Sequence, residues 1–161
     1  MTFLTADLCD RFAEHESFQV AESLLRHFGG KQLFCGQITT LKVFEDNSLV
    51  RTALEEPGNG RVLIIDGGGS KRCALFGDTL AELAVKNAWE GIIVYGCVRS
   101  SVVISQMSIG VMALNTHPLR SRKHGQGDRD VMITFAGVNF KKDHYLYADH
   151  DGIVVADEKL D

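Results

Sequence analysis

The chain has 161 residues, 45% of them apolar and 24% charged, with a formal net charge of -4. That length and apolar content suffice for one buried core, so a single domain over residues 1–161 is expected. The acidic balance excludes a global attraction to nucleic acid or to an anionic membrane surface, and the longest apolar runs, "VLII" and "GIIVYGCV", fall far short of the ~20 residues that cross a bilayer.

In chain order, "MTFLTADLCDRFAEH" carries early acids and lacks a basic segment followed by a long apolar one. It therefore does not read as a signal peptide, and a cytoplasmic protein is expected. "TADLCDRFAEH" predicts a short amphipathic helix with a threonine as cap, and "VAESLLRHFGG" predicts a second helix stopped by Gly29 and Gly30. "FCGQITTLKVF" has the β-branched and aromatic content of a strand, and "EDNSLVRTALEEPGNG" reads as a helix closed by a Pro-Gly-Asn-Gly turn. "RVLIID" is a continuous apolar run of the kind buried on both faces of a sheet, and it ends in "GGGS". "GDTLAELAVKNAW" places Leu80, Leu83, Ala84 and Ala88 on one helical face, and "GIIVYG" is a second buried strand. The resulting β-α-β unit predicts a parallel sheet with a right-handed crossover. "GVMALNTHP" and "VMITFAGVNF" supply further strands, "LRSRKHGQGDRD" between them an exposed loop, and "DHYLYADHDGIVVAD" a terminal hairpin turning at "HDG". The four cysteines show no CxxC spacing, so reduced, mostly buried thiols are expected rather than a zinc or dithiol site.

Ligands of open α/β sheets bind outside the carboxyl ends of parallel strands. "DGGGS" (66–70), "GD" (77–78) and "GCVRS" (96–100) all fall at such ends and are expected to line one cleft. The glycine run matches neither a dinucleotide fingerprint nor a P-loop. At Gly77, Asp78, Thr79 and Leu80 a helix start presents unbonded N–H groups to an anion. Arg99, an obligate cation just past a buried strand, has the fork geometry for a carboxylate. An anion site on Gly77–Leu80 and Arg99 follows, with Asp78 by itself reading as a capping or first-turn acid of that helix.

The runs "GQITTLKVFEDNSLVR", "GRVLIIDGGGSKRCALFGDTLAELAVKNAWEGIIVYGCVR" and "LYADHDGIVV" resemble the family of RraA, the regulator of ribonuclease activity A, which includes the class II aldolases of 4-hydroxy-4-methyl-2-oxoglutarate. The resemblance covers nearly the whole chain. It implies an α/β fold, a layered α/β/β/α sandwich with a mostly parallel central sheet, assembled as a homotrimer with clefts at subunit boundaries. It also implies two functions. One is a regulator that binds ribonuclease E, inhibits it and needs no cofactor. The alternative is an aldolase and oxaloacetate decarboxylase dependent on magnesium or manganese, taking a small 2-oxo acid in the cleft. The resemblance implies that Arg99 holds the pyruvyl group and that "GDTL" (77–80) presents amides to the substrate and an acid, Asp78, to a metal-bound water, so that Asp78 and Arg99 would be catalytic. The next residue after the arginine is a metal-ligating aspartate in the aldolases and is Ser100 here. A neutral hydroxyl is a poor ligand for a hard cation, so the metal position reads as lost and the regulator as the leading expectation. With the last residue at Asp161, the acid that longer aldolases send from a C-terminal extension into a neighbouring site is not expected here.

Other residues have plainer readings. The six histidines show no metal-binding spacing. Asp149, His150 and Asp151 read as a polar hairpin tip, and Arg120, Arg122, Lys123 and His124 as a solvated basic loop. With aromatics at 8% and no stacking platform among basic side chains, direct RNA binding is not expected.

Overall fold

The computed structural model describes residues 2–160. Helix α1 (Thr5–Phe12) is followed by two short strands, β1 (Gln19–Val20) and β2 (Arg26–His27), and by the long β3 (Phe34–Lys42). Then come α2 (Ser48–Leu54), β4 (Val62–Asp66), β5 (Ala74–Phe76), α3 (Asp78–Lys86) and β6 (Gly91–Val98). The chain continues through α4 (Ser101–Ile104), β7 (Gly110–Thr116), β8 (Asp128–Arg129), β9 (Ile133–Phe135) and β10 (Val138–Phe140) to the hairpin β11 (Tyr145–Ala148) and β12 (Ile153–Ala156).

The strand order is β1-β12-β11-β3-β4-β6-β7-β2, with β5 on β6 and β8 on β3. The centre, β3-β4-β6-β7, is parallel, as the β-α-β pattern requires. The expected "mostly parallel" sheet holds only there and at β5, which pairs parallel with β6. β11, β12, β1, β2 and β8 all add antiparallel, because tight hairpins and edge returns supply the flanks without crossover helices. β3 joins the two parts: Phe34 to Gln37 pair with β11, and Ile38 to Lys42 pair with β4.

Alternating burial sorts the side chains into layers. Leu41, Leu63, Ile65, Ile92, Val94 and Val111 face α2, α3 and α4 through Val50, Leu54, Leu80, Ala84 and Ile104. Ile38, Val62, Ile64, Ile93 and Met112 point the other way, onto Phe135, Phe140, Leu146 and Val155 of the hairpins. Tyr147 and Val154 face outward beneath Leu8 of α1. The layers are helices, parallel sheet, hairpin sheet, helix, which is the α/β/β/α sandwich.

Two local readings are corrected. The expected helix in "VAESLLRHFGG" is absent; the segment supplies edge strand β2, pairing Arg26 with Ala113 and His27 with Met112. Its N–H groups bond across the sheet instead of along a helix, Ala21, Glu22 and Phe28 donating to the Ile153, Ala136 and Val111 carbonyls at 3.0, 2.8 and 2.8 Å. Thr5 does not cap α1; its N–H and hydroxyl both donate to the buried Asp149 carboxylate at 2.7 Å, so the cap comes from the far end of the chain. The 120s loop is exposed as expected, Ser121 alone being buried between residues 119 and 130, but it is anchored. It bridges β5 at Ala74–Arg120 and residue 46 at Asp46–Arg122. Cys9, Cys73 and Cys97 are free thiols, Cys73 and Cys97 buried, and no helix among the described residues is long and apolar enough to cross a membrane.

Candidate anion-binding site

β5 pairs with the end of β6, Ala74 opposite Cys97 and Phe76 opposite Val98. This brings the start of α3 beside Arg99, whose N–H donates to the Phe76 carbonyl at 2.9 Å. The first helical bond of α3 runs from Ala81 N–H to the Gly77 carbonyl at 2.9 Å. The amides of Asp78, Thr79 and Leu80 precede it, and no side chain caps them. A Cβ on Gly77 would stand 3.3 Å from Arg99 Cγ, so the glycine lets the arginine stem lie against the helix start. The guanidinium donates from Nη1 to the Pro118 carbonyl at 3.3 Å, which leaves most of its donors for a ligand.

These residues line a cavity of about 160 Å3 together with Asn47, Arg51, Arg120 and Lys123. Gly77, Asp78, Thr79, Leu80 and Arg99 are thus brought together as expected. The "DGGGS" turn is not part of this cavity. A Cβ on Gly67 would meet Leu75, one on Gly68 Phe44 and one on Gly69 the Tyr95 ring, so the turn packs closely on the protein's own side chains, with Gly68 lining a separate cavity beside Phe44 and Asp66.

The sequence reading missed the second wall. Lys123 donates from Nζ to Asn47 Oδ1 at 3.1 Å, and Asn47 in turn donates from Nδ2 to the Leu75 carbonyl at 3.2 Å. Asp46, only 2% exposed, holds the loop. Its Oδ1 accepts from Ser48 N–H and hydroxyl at 2.9 and 2.7 Å, and its Oδ2 from the N–H groups of His124 and Gln126 at 2.8 and 3.3 Å. Burial alone would raise the Asp46 pKa, but these donors outweigh it and draw the carboxyl down to about 2. The available signal was positional: "RSRKH" follows the end of a parallel strand and contains no acid to neutralise it.

Four cations and one carboxylate, Asp78, line the cavity. Among the described residues none of Arg51, Arg99, Arg120 and Lys123 forms an ion pair, whereas Lys31, Arg61, Arg72 and Arg129 do. The divalent ion implied by the family resemblance does not fit this donor set. Ser100 offers only a hydroxyl, in a left-handed backbone conformation (φ 56°) at the start of α4. No cluster of three His, Cys, Asp or Glu among the described residues could hold a metal.

The fold and cavity define an α/β protein with a cation-lined cavity at strand ends. The model of the RraA-like family Aldolase/RraA matches residues 5–155, and the chain belongs to that family. It is 58% identical, over 99% of both chains, to a candidate 4-hydroxy-4-methyl-2-oxoglutarate aldolase of Aromatoleum aromaticum. Among solved structures it is similar to a Thermus RNA-processing inhibitor RraA, with TM-score 0.95, 40% identity and coverage of 100% and 96%. It is also similar to a Geobacillus kaustophilus protein described as an S-adenosylmethionine:2-dimethylmenaquinone methyltransferase, with TM-score 0.95, 49% identity and coverage of 98% and 97%.

Proposed function

We propose that the protein is a pyruvate-forming lyase of the 4-hydroxy-4-methyl-2-oxoglutarate aldolase type, acting on a 2-oxo acid at the Arg99 cavity. The observation that carries this reading is the convergence of Arg99 with the unbonded amides of Asp78 to Leu80 in one cavity. Such donors hold a carboxylate beside an oxygen on which negative charge develops. Asp78 takes the proton of the C4 hydroxyl and the C3–C4 bond breaks, releasing one pyruvate. The electron pair moves to the C2 oxygen, giving an enolate held by Arg99 and the amides. Protonation at C3 gives the second pyruvate. Oxaloacetate decarboxylation passes through the same enolate. No step is routed through a metal.

The test is oxaloacetate decarboxylation by the wild type and by Asp78→Ala and Arg99→Ala. Loss of turnover in Arg99→Ala supports the reading, and no wild-type turnover above buffer, with or without magnesium, defeats it.

A second reading, inhibition of ribonuclease E, is favoured by the likeness to the Thermus inhibitor and by exposed Val102, Val103 and Leu119 near the cavity, apolar surface suited to a protein partner. Addition of the protein to a ribonuclease E cleavage assay tests it, with slowed cleavage as the supporting result. The same apolar residues support assembly as a homotrimer.

A further inference from the structure

The cavity holds more positive charge than a pyruvyl group needs, and the position after Arg99 lacks the carboxylate that a divalent ion needs. Resting on the 2-oxo acid reading above, we infer that the cavity binds a dicarboxylate directly on side-chain cations. Arg51, Arg120 and Lys123 form a second anion subsite beside Arg99, and no divalent ion bridges protein and ligand.

The subsite is built rather than incidental. Lys123 is held at the cavity by a neutral amide, Asn47 Oδ1, itself buried and tied to β5. The ammonium keeps its charge and its remaining N–H donors for a ligand. Arg120 is fixed at its backbone by the bridge to Ala74, next to a 2.7 Å bond from Ala74 N–H to the Leu119 carbonyl. Gly125 N–H donates to Ser48 Oγ at 3.0 Å, adding a further tie between loop and α2. Lys123, its ammonium already held by Asn47, loses little freedom when a ligand arrives.

Charge decides against the metal. Four cations against Asp78 leave the lining at a net +3. That field attracts a dianion and repels a divalent cation, while Ser100 supplies no compensating carboxylate. Arg99 and the α3 amides hold the 2-oxo acid end. The distal carboxylate of a 2-oxo dicarboxylate falls to the cations of α2 and the loop. These three residues therefore set the preference for dicarboxylates over monocarboxylates.

The experiment is calorimetric titration of the full chain with 2-oxoglutarate and with pyruvate, each in chelator and again with magnesium or manganese. The wild type binds 2-oxoglutarate more tightly than pyruvate in chelator, and metal changes neither affinity. Arg120→Ala combined with Lys123→Met lowers the ratio of the two affinities by about tenfold or more, and Lys123→Arg retains most of it. Thermal melts confirm folding; should the double variant not fold, Arg51→Gln, exposed on α2, provides the same comparison. Equal wild-type affinities, an unchanged ratio in the variants, or a rise of about tenfold with metal overturns the inference. A protein that binds in the expected way and forms no pyruvate keeps this inference and loses the lyase reading. One that forms pyruvate only with added metal does the reverse.

Discussion

Asp46→Asn tests how the second wall of the cavity is held. The carboxylate accepts four hydrogen bonds from Ser48, His124 and Gln126 while only 2% exposed. Its pKa falls from 3.8 to about 2, and at about 1.36 kcal/mol per unit this corresponds to about 2 kcal/mol in favour of the ionised form. Asparagine loses that charge and, if its Oδ1 stays with Ser48, turns an NH2 toward two N–H donors. The orphaned donors bring the expected destabilisation to roughly 2–4 kcal/mol. The sign with pH follows from a folded pKa below the unfolded one. The contribution is complete above pH ~4 and is lost as pH falls toward ~2, where wild type and variant converge. Urea unfolding of both proteins at neutral and acid pH measures it, and 2-oxoglutarate affinity should drop in the variant because Lys123 and Arg120 are no longer held. A variant within ~0.5 kcal/mol of wild type at neutral pH, with unchanged affinity, refutes the reasoning.

Gly77→Ala places a methyl 3.3 Å from Arg99 Cγ; calorimetry should show severalfold weaker carboxylate binding with little change in melting temperature. Burial alone would raise the Asp149 pKa, but the N–H and hydroxyl of Thr5 and the N–H groups of Asp151 and Gly152 outweigh it and hold it below the usual carboxylate value. Its grip on α1 is therefore present at neutral pH and lost in acid, and hydrogen exchange over residues 5–12 should accelerate there before the sheet opens. Light scattering on eluting protein should give about three times 17.7 kDa, the expected trimer, and a monomer at micromolar concentration would contradict that assembly.

The parallel centre was legible because its strands are short continuous apolar runs, "VLII" and "GIIV", joined by a helix with a clear apolar face. Edge strands were not: β1 and β2 are two residues each and owe their conformation to β12 and β7, which no local pattern encodes. Half of the site was legible for the same reason as the centre. Gly77–Leu80 and Arg99 lie at strand and helix ends, where position alone implies an anion. Asn47, Arg51, Arg120 and Lys123 were not, because the loop reaches the cavity through Asp46, with partners 78 and 80 positions away. A helix start and a basic loop look ordinary until that buried carboxylate joins them.

The account stands most directly on Arg99 acting on a 2-oxo acid. The measurement is pyruvate formation from 4-hydroxy-4-methyl-2-oxoglutarate, followed by a coupled lactate dehydrogenase assay, for wild type and Arg99→Ala side by side. The account predicts pyruvate from the wild type and a loss of about tenfold or more in kcat/KM for the variant. No pyruvate from the wild type, or equal rates from the two proteins, would contradict it.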